Sequence, residues 1–300
     1  MSALRLGTRG SALALAQARW VAERLEGEVE LVRIATAGDV RGTDAGTGGP
    51  DTGAHRRAAE AADPGDKSRW TATLERALVA GEIDLAVHSA KDVPGELAAG
   101  TAIVAVPPRA DPRDVLVGAP GLAALAAGAR VGTSALRRRA QLEAVRPDLE
   151  VVELHGNVDT RLRKLAAREV DALVLAAAGL ARLGLDVVEA TPLEGEVFVP
   201  APGQGCLAVQ AAAGDARFAA VDDPVSRAAL AAERAVAARL GATCDTAVGV
   251  HRGADGLRGF AGLPDGSEWI VDEASDAQAL AGRMLAAGAG ELLARARTAP

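Results

Sequence analysis

The feature that most constrains this chain is an alternation, repeated between residues 3 and 183, of short apolar runs with stretches whose apolar residues recur every three or four positions. Runs near 3–7, 29–36, 84–88 and 101–106 read as strands, and 11–26 and 71–80 as helices, the second stopped by Gly81. The pattern resumes after Asp111, with strands near 114–117, 130–132, 150–155 and 171–176 and helices at 134–146, 157–168 and 177–183. Such alternation predicts α/β units, each with a mostly parallel sheet.

An internal echo supports two related units. LGTRGSALALAQ at 6–17 and VGTSALRRRAQ at 131–141 both read as strand, Gly-Thr turn, then helix. Ser11 and Ser134 stand where an N-cap belongs, so each turn would leave backbone N–H groups and a positive helix end facing outward, an arrangement that favours anions. The same pattern also describes ordinary capped helices.

From Asp223 the pattern changes. An Ala-rich helix at 226–240 leads through 241–251 into a hairpin with a Pro-Asp-Gly turn, followed by one amphipathic helix at 276–296. These elements make a small α+β domain. The stretch 39–66, rich in Gly, Asp and Pro, lacks periodicity and reads either as a mobile lid or as an inert insertion.

The polar residues concentrate where apolar runs stop. GEIDLAVHSAKDVP at 81–94 delivers His88, Ser89, Lys91 and Asp92 to one strand end, the place where open α/β sheets bind ligands. The densest basic region is Arg137 to Arg139 with Arg161, Arg163 and Lys164; guanidinium forks there suit carboxylates or phosphates. Three consecutive arginines cannot share one helix face, so at most two reach a common site. Lysine occurs only at 67, 91 and 164 in an otherwise arginine-based chain, which hints that a compact ammonium is wanted there.

Composition narrows the class. Half of the residues are hydrophobic (49%), enough for a large core, and no apolar stretch reaches the length of a membrane span or a signal peptide, so the reading is a cytoplasmic, soluble protein. A net charge of −7 argues against a generally basic nucleic-acid surface. Two cysteines, Cys206 and Cys244, are too few for a disulfide scaffold or zinc cluster, and no histidines and carboxylates stand at metal-ligand spacing. Cys206 reads as a buried hydrophobe, whereas Cys244, in a loop after a helix stop, reads either as the same or as a nucleophile or attachment point.

Taken together the motifs resemble the porphobilinogen deaminase (hydroxymethylbilane synthase) family. GTRGSALALAQ, AVHSAKDVP, ADPRD at 110–114, GTSALRRRAQL with RPDL, HGNVDTRL, LAAAGLARLG, PAPGQG and ERAVAARLGATC occur in the family's order and span most of the chain. The resemblance implies two periplasmic-binding-protein-like α/β domains around a cleft, plus a small C-terminal α+β domain that carries the cofactor cysteine. The boundaries expected are 1–107 with a return segment 200–222, then 108–199, then 223–300. It implies a transferase that condenses four porphobilinogen molecules head to tail into hydroxymethylbilane, releasing ammonia each time, in tetrapyrrole biosynthesis.

The site residues follow by motif position. Asp92 falls on the catalytic carboxylate. Cys244 falls on the thioether attachment point of a dipyrromethane cofactor, with Ser89, Lys91, Thr133, Ser134, Arg137, Arg138, Gly156, Asn157 and Arg161 around that cofactor. Arg9, Ser11, Lys67, His155 and Arg182 fall on substrate contacts. The implied partners are porphobilinogen and the growing oligopyrrole, with no metal, nucleic acid or membrane, and the implied state is a monomer. Several positions depart from the pattern: His155 replaces a usual arginine, Ala135 a serine and Asp159 a small residue, and Asp245-Thr246-Ala247 follows the cysteine. A degenerate or inactive paralogue and a non-catalytic anion-binding clamshell protein stay open as alternatives.

Overall fold

The structure, a computed structural model, describes residues 2–34, 68–185, 190–243 and 245–298. The 39–66 stretch, Lys67 and Cys244 lie outside the described residues. The chain divides into two compact units, Met1–Pro108 with Leu207–Pro224, and Arg109–Cys206 with Val225–Pro300.

The first unit is an α/β sheet. Strands β1 (Leu4–Thr8), β2 (Val29–Arg33), β3 (Leu85–Ser89), β4 (Thr101–Ala105) and β10 (Leu207–Ala212) lie in the order β2-β1-β3-β10-β4. β1 pairs in parallel with β2 and β3, and β10 runs antiparallel to both neighbours. Helix α1 (Ala12–Ala22) covers one face of the sheet, placing Ala18 and Val21 against Leu6, Leu85, Val87 and Phe218. Helix α2 (Ser68–Val79) covers the other, where Leu74 and Ala77 meet Ile83 and Ala86. Alternation along β3 therefore sends Leu85 and Val87 to α1, and Ala86 and His88 to α2. Each buried Leu or Phe in these clusters stabilises the unit by about 1.5–3 kcal/mol.

The second unit repeats the plan. Strands β5 (Asp114–Val117), β6 (Arg130–Thr133), β7 (Glu150–Glu153), β8 (Ala172–Ala176) and β9 (Ala190–Pro192) take the order β7-β6-β8-β5-β9, with β5 antiparallel to β8 and β9. In both sheets a three-strand parallel core, middle strand first in sequence, is followed by one antiparallel strand. The echo between the two Gly-Thr turns is thus an echo of whole sheets. The sheets are mostly parallel, as expected, with one strand reversed in each, because β5 and β10 do not follow a helical crossover from their sheet neighbours.

Helices α3 (Leu136–Val145), α4 (Val158–Ala166) and α5 (Ala177–Arg182) join these strands. The same unit holds α6 (Pro224–Arg239) and an antiparallel sheet of β11 (Ala247–Arg252), β12 (Leu257–Gly262) and β13 (Trp269–Ala274), closed by α7 (Ala277–Ala286) and α8 (Ala289–Thr298). The single helix expected at 276–296 is two, because Gly288 takes φ +96° and its N–H turns back to Leu285 O. Their inner faces, Leu280, Met284 and Leu293, pack on Val250, Leu257 and Ala261. Among the described residues no helix is long and apolar enough to cross a membrane.

Candidate active site

The first unit supplies a polar strand end. Ser11 caps α1, its Oγ accepting from Ala14 N at 3.3 Å, and Arg9 and Ser11 fill the turn between β1 and α1. β3 ends at Ser89, and the chain then makes one 3-10 turn, Ala90–Asp92, that presents Lys91 and Asp92 partly exposed. Gln17 on α1 donates from Nε2 to Ser89 Oγ at 2.9 Å, and Thr71 on α2 donates from Oγ1 to Asp92 O at 3.3 Å. The turn is therefore tied from both faces of the sheet.

Beneath it lies a buried polar group. Gln210 on β10 donates from Nε2 to Glu75 Oε1 on α2 at 2.8 Å, and the same Oε1 accepts from Ala98 N at 3.1 Å. His88 faces this pair, and burial pushes its pKa down to about 4 against the opposing pull of Glu75, Gln210 and Asp92, with Arg9 pushing the same way as burial. The imidazole is thus neutral near pH 7 and contributes no charge next to Asp92.

The second unit supplies cations. α3 starts one residue later than the sequence predicts: its N-cap is Ala135, without a side-chain cap, and Thr133 Oγ1 accepts from Ala135 N instead. Ser134 is therefore no cap. Its Oγ accepts from Arg161 Nη2 at 2.7 Å, and Arg161 Nε donates to Gly156 O at 2.8 Å. Arg161 so links the two turns, 133–135 and 155–157. Its pKa is pushed down to about 10 by burial and by the neighbouring Arg138. Arg182, at the end of α5, donates from Nη2 to Gly205 O at 2.6 Å, and burial lowers its pKa as well. Among the described residues neither Arg161 nor Arg182 has a carboxylate partner. Two largely desolvated guanidiniums bonded only to neutral oxygens are ready for anions.

Arg137 and Arg138 behave differently. Both are buried, at 5% and 7% exposure, and both converge on Asp114, while Arg139 turns away to Val151 O. The limit of two arginines at a common point holds for the reason expected, the 100° step between consecutive helical residues. Asn157 stands exposed at the start of α4, and Gly156 before it takes φ +113°. His155 is exposed, with Nε2 3.1 Å from Glu153 Oε1.

Sequence reasoning overlooked four residues that tie these turns: Gln17 and Glu75 in the first unit, and Asp114 and Gln204 in the second. Three of them were within reach, since Gln17 closes GTRGSALALAQ, Asp114 closes the ADPRD motif and Gln204 sits inside PAPGQG. Cys206 is buried, as its sequence setting suggested. Among the described residues no cluster of His, Cys, Asp or Glu could hold a metal ion.

Comparison with known proteins points one way. Residues 4–220 match the family model described as porphobilinogen deaminase, dipyromethane cofactor binding domain. A porphobilinogen deaminase of Roseiflexus castenholzii is 44% identical, aligning with 98% of this chain and 99% of its own. That of Deinococcus deserti is 42% identical over 99% of this chain and 100% of its own, and that of Rubrobacter xylanophilus 45% identical over 97% and 96%. Among solved structures, a periplasmic substrate-binding protein of an ABC transporter from Coxiella burnetii overlaps 75% of this chain and 94% of its own, with a TM-score of 0.41 and 15% identity. The fold assignment rests on the strand orders, not on that slight overlap.

Proposed function

Since this chain belongs to the porphobilinogen deaminase family, we propose that it is the transferase that joins four porphobilinogen molecules head to tail into hydroxymethylbilane, with loss of one ammonia per addition, in tetrapyrrole biosynthesis. The observation that carries the reading is in the second unit, where the partly buried guanidiniums of Arg161 and Arg182 have no carboxylate partner among the described residues; the first unit separately presents a strand-end carboxylate, Asp92. Each porphobilinogen brings an acetate and a propionate, so a growing chain accumulates carboxylates that cations must match.

The residues fit a dipyrromethane, which itself bears four carboxylates: the Arg161 and Arg182 guanidiniums, bonded to neutral oxygens, are the kind of group it would need. Attachment through the Cys244 thiol gives the growing chain a covalent anchor. Thr133, Ser134, Gly156 and Asn157 offer hydroxyl, amide and backbone groups to it, alongside Lys91, Ser89, Arg137, Arg138 and Arg161. Arg9, Ser11, Lys67, His155 and Arg182 are assigned to incoming substrate carboxylates.

Asp92 carries the proton chemistry. As the aminomethyl nitrogen of porphobilinogen leaves as ammonia, the pyrrole nitrogen lone pair forms the exocyclic double bond of a cationic azafulvene. A carboxylate at that pyrrole N–H stabilises the charge and accepts or returns a proton as it moves. The neutral His88 nearby adds no competing positive charge.

Intact mass tests the reading. Protein made in a host that supplies porphobilinogen should carry two pyrrole units, and Cys244→Ser should carry none and release no ammonia from porphobilinogen. An unmodified wild-type mass, or a Cys244→Ser protein that keeps the added mass, overturns it.

A further inference from the structure

How the second unit aims its arginines is the question one buried carboxylate answers. Asp114, the first residue of β5, is 4% exposed. Its Oδ2 accepts from Arg137 Nη1 at 2.7 Å. Its Oδ1 accepts from Arg138 Nε at 2.9 Å and Nη2 at 2.8 Å, and from Gln204 Nε2 at 2.9 Å. Gln204 Nε2 also donates to Pro112 O at 2.6 Å, and Gln204 O accepts from Arg109 Nε at 2.9 Å. The next residue, Gly205, has φ +86° and a Cβ there would lie 2.4 Å from Ala110 O, so only glycine fits this turn. Its carbonyl is the one that receives Arg182.

These facts make the 203–205 turn and Asp114 a single fixture for Arg137, Arg138 and Arg182. The fixture answers an electrostatic problem. Arg137 and Arg138 occupy the first turn of α3, next to the positive end of the helix, and that turn has no acidic residue of its own. Burial and the neighbouring Arg138 oppose the charge on Arg137, and Asp114 is the group that favours it. Both arginines also donate to backbone carbonyls, Arg137 Nη1 to Val199 O at 2.8 Å and Arg138 Nη1 to Val174 O at 2.9 Å, and Arg137 donates further to the amide oxygens of Gln141 (Nη1, 2.9 Å) and Gln204 (Nη2, 3.5 Å).

We propose that Asp114 is a positioning residue for the reaction. It locks Arg137 and Arg138 in one orientation and cancels one of their two charges, and through Gln204 it shares that setting with Arg182. The inference rests on the functional reading above. Its consequence is a cluster with one net positive charge rather than two, strong enough to orient a ligand carboxylate without gripping it indiscriminately. Removing the carboxylate leaves more positive charge and less direction, which separates it from a loss of packing.

The test uses holoenzyme, with folding checked by circular dichroism and thermal melting at the assay temperature. Asp114→Asn keeps the shape and deletes the charge: kcat is expected to fall at least tenfold, while KM for porphobilinogen falls or stays within twofold. A folded Asp114→Asn that gains no pyrrole mass supports the proposal equally, because misdirected arginines fail at the first ligand. Asp114→Glu should recover part of kcat. Gln204→Met keeps the Asp114 charge and removes the amide link, and it should lower kcat severalfold at unchanged KM; it decides the matter if Asp114→Asn does not fold. Wild-type kcat and KM in the folded variants, or a raised KM with kcat intact, overturns the proposal. A wild-type protein without pyrrole mass or turnover overturns the functional reading instead.

Discussion

The end of β3 and the turns around α3 and α4 hold their functional side chains by opposite means. Around the end of β3 the backbone turn is tied by hydrogen bonds, Gln17 to Ser89, Thr71 to the Asp92 carbonyl and Gln210 to Glu75, with a neutral histidine underneath. Around Arg161 and Arg182 the ties are cations, two of them bonded, among the described residues, to neutral oxygens and two more sharing one buried carboxylate. The difference suits the proposed function, under which a surface for polycarboxylates needs positive charge that no internal partner has consumed.

The contrast breaks most sharply at Asp92. Asp92→Asn should lower kcat by about 10³-fold, within the range for loss of a positioned acid-base group. Thermal stability should barely move, since the side chain is partly exposed on a short turn. Steady-state ammonia release and a melting curve measured together check this. A variant that keeps a tenth of its turnover would move the proton chemistry elsewhere.

His88 sharpens the comparison through stability and pH. Its pKa in the fold, about 4, lies below its ordinary 6.5, so an unfolded chain takes up a proton near pH 6.5 that the folded one refuses until about pH 4. The sign is therefore a stability fully present above pH 6.5 that declines as pH falls toward 4. At about 1.4 kcal/mol per pKa unit the decline is roughly 3 kcal/mol. Glu75, Asp92 and Arg9 face the imidazole and are retained in His88→Gln, so the difference between wild-type and variant urea midpoints at pH 7 and pH 4.5 isolates it. Parallel pH curves for the two proteins would show that His88 titrates normally.

Much of this contrast was legible in the sequence, and the rest was not for a physical reason. Periodicity placed Asp92 at the end of β3 and Arg137 to Arg139 at the start of α3, because strand and helix signals are local. The hairpin turn at Pro264-Asp265-Gly266 announced itself in the same way. Gln204 and Asp114 are ninety residues apart, and Glu75 and Gln210 farther still. Such pairings belong to the tertiary fold, and nothing in the spacing of either residue foretells its partner. Ser134 shows the limit at close range: it looked like a cap, yet a guanidinium from α4 claims its hydroxyl and the helix begins without one. Gly288 likewise looked like one glycine among many until its φ broke the last helix in two.

The smallest expected effect is the most discriminating for the second unit. Arg161 bears a charge that burial and Arg138 both disfavour, and among the described residues its partners are the Ser134 hydroxyl and the Gly156 carbonyl. A cation in that state adds little to folding, because the cost of desolvation offsets two bonds to neutral oxygens. Arg161→Met should therefore leave the urea midpoint of the cofactor-free Cys244→Ser protein within about 0.5 kcal/mol of its parent. In the Cys244 protein the same change removes a charge-assisted bond worth about 1.5–3 kcal/mol, which raises KM for porphobilinogen by roughly 10- to 100-fold or leaves the intact mass without its pyrrole units. Asp114→Asn inverts that pattern, since it strands two buried guanidiniums and costs stability with or without a ligand. If Arg161→Met instead destabilises the cofactor-free protein as Asp114→Asn does, the guanidinium is a structural tie between the 133–135 and 155–157 turns, and the division of the second unit into paired and waiting cations fails.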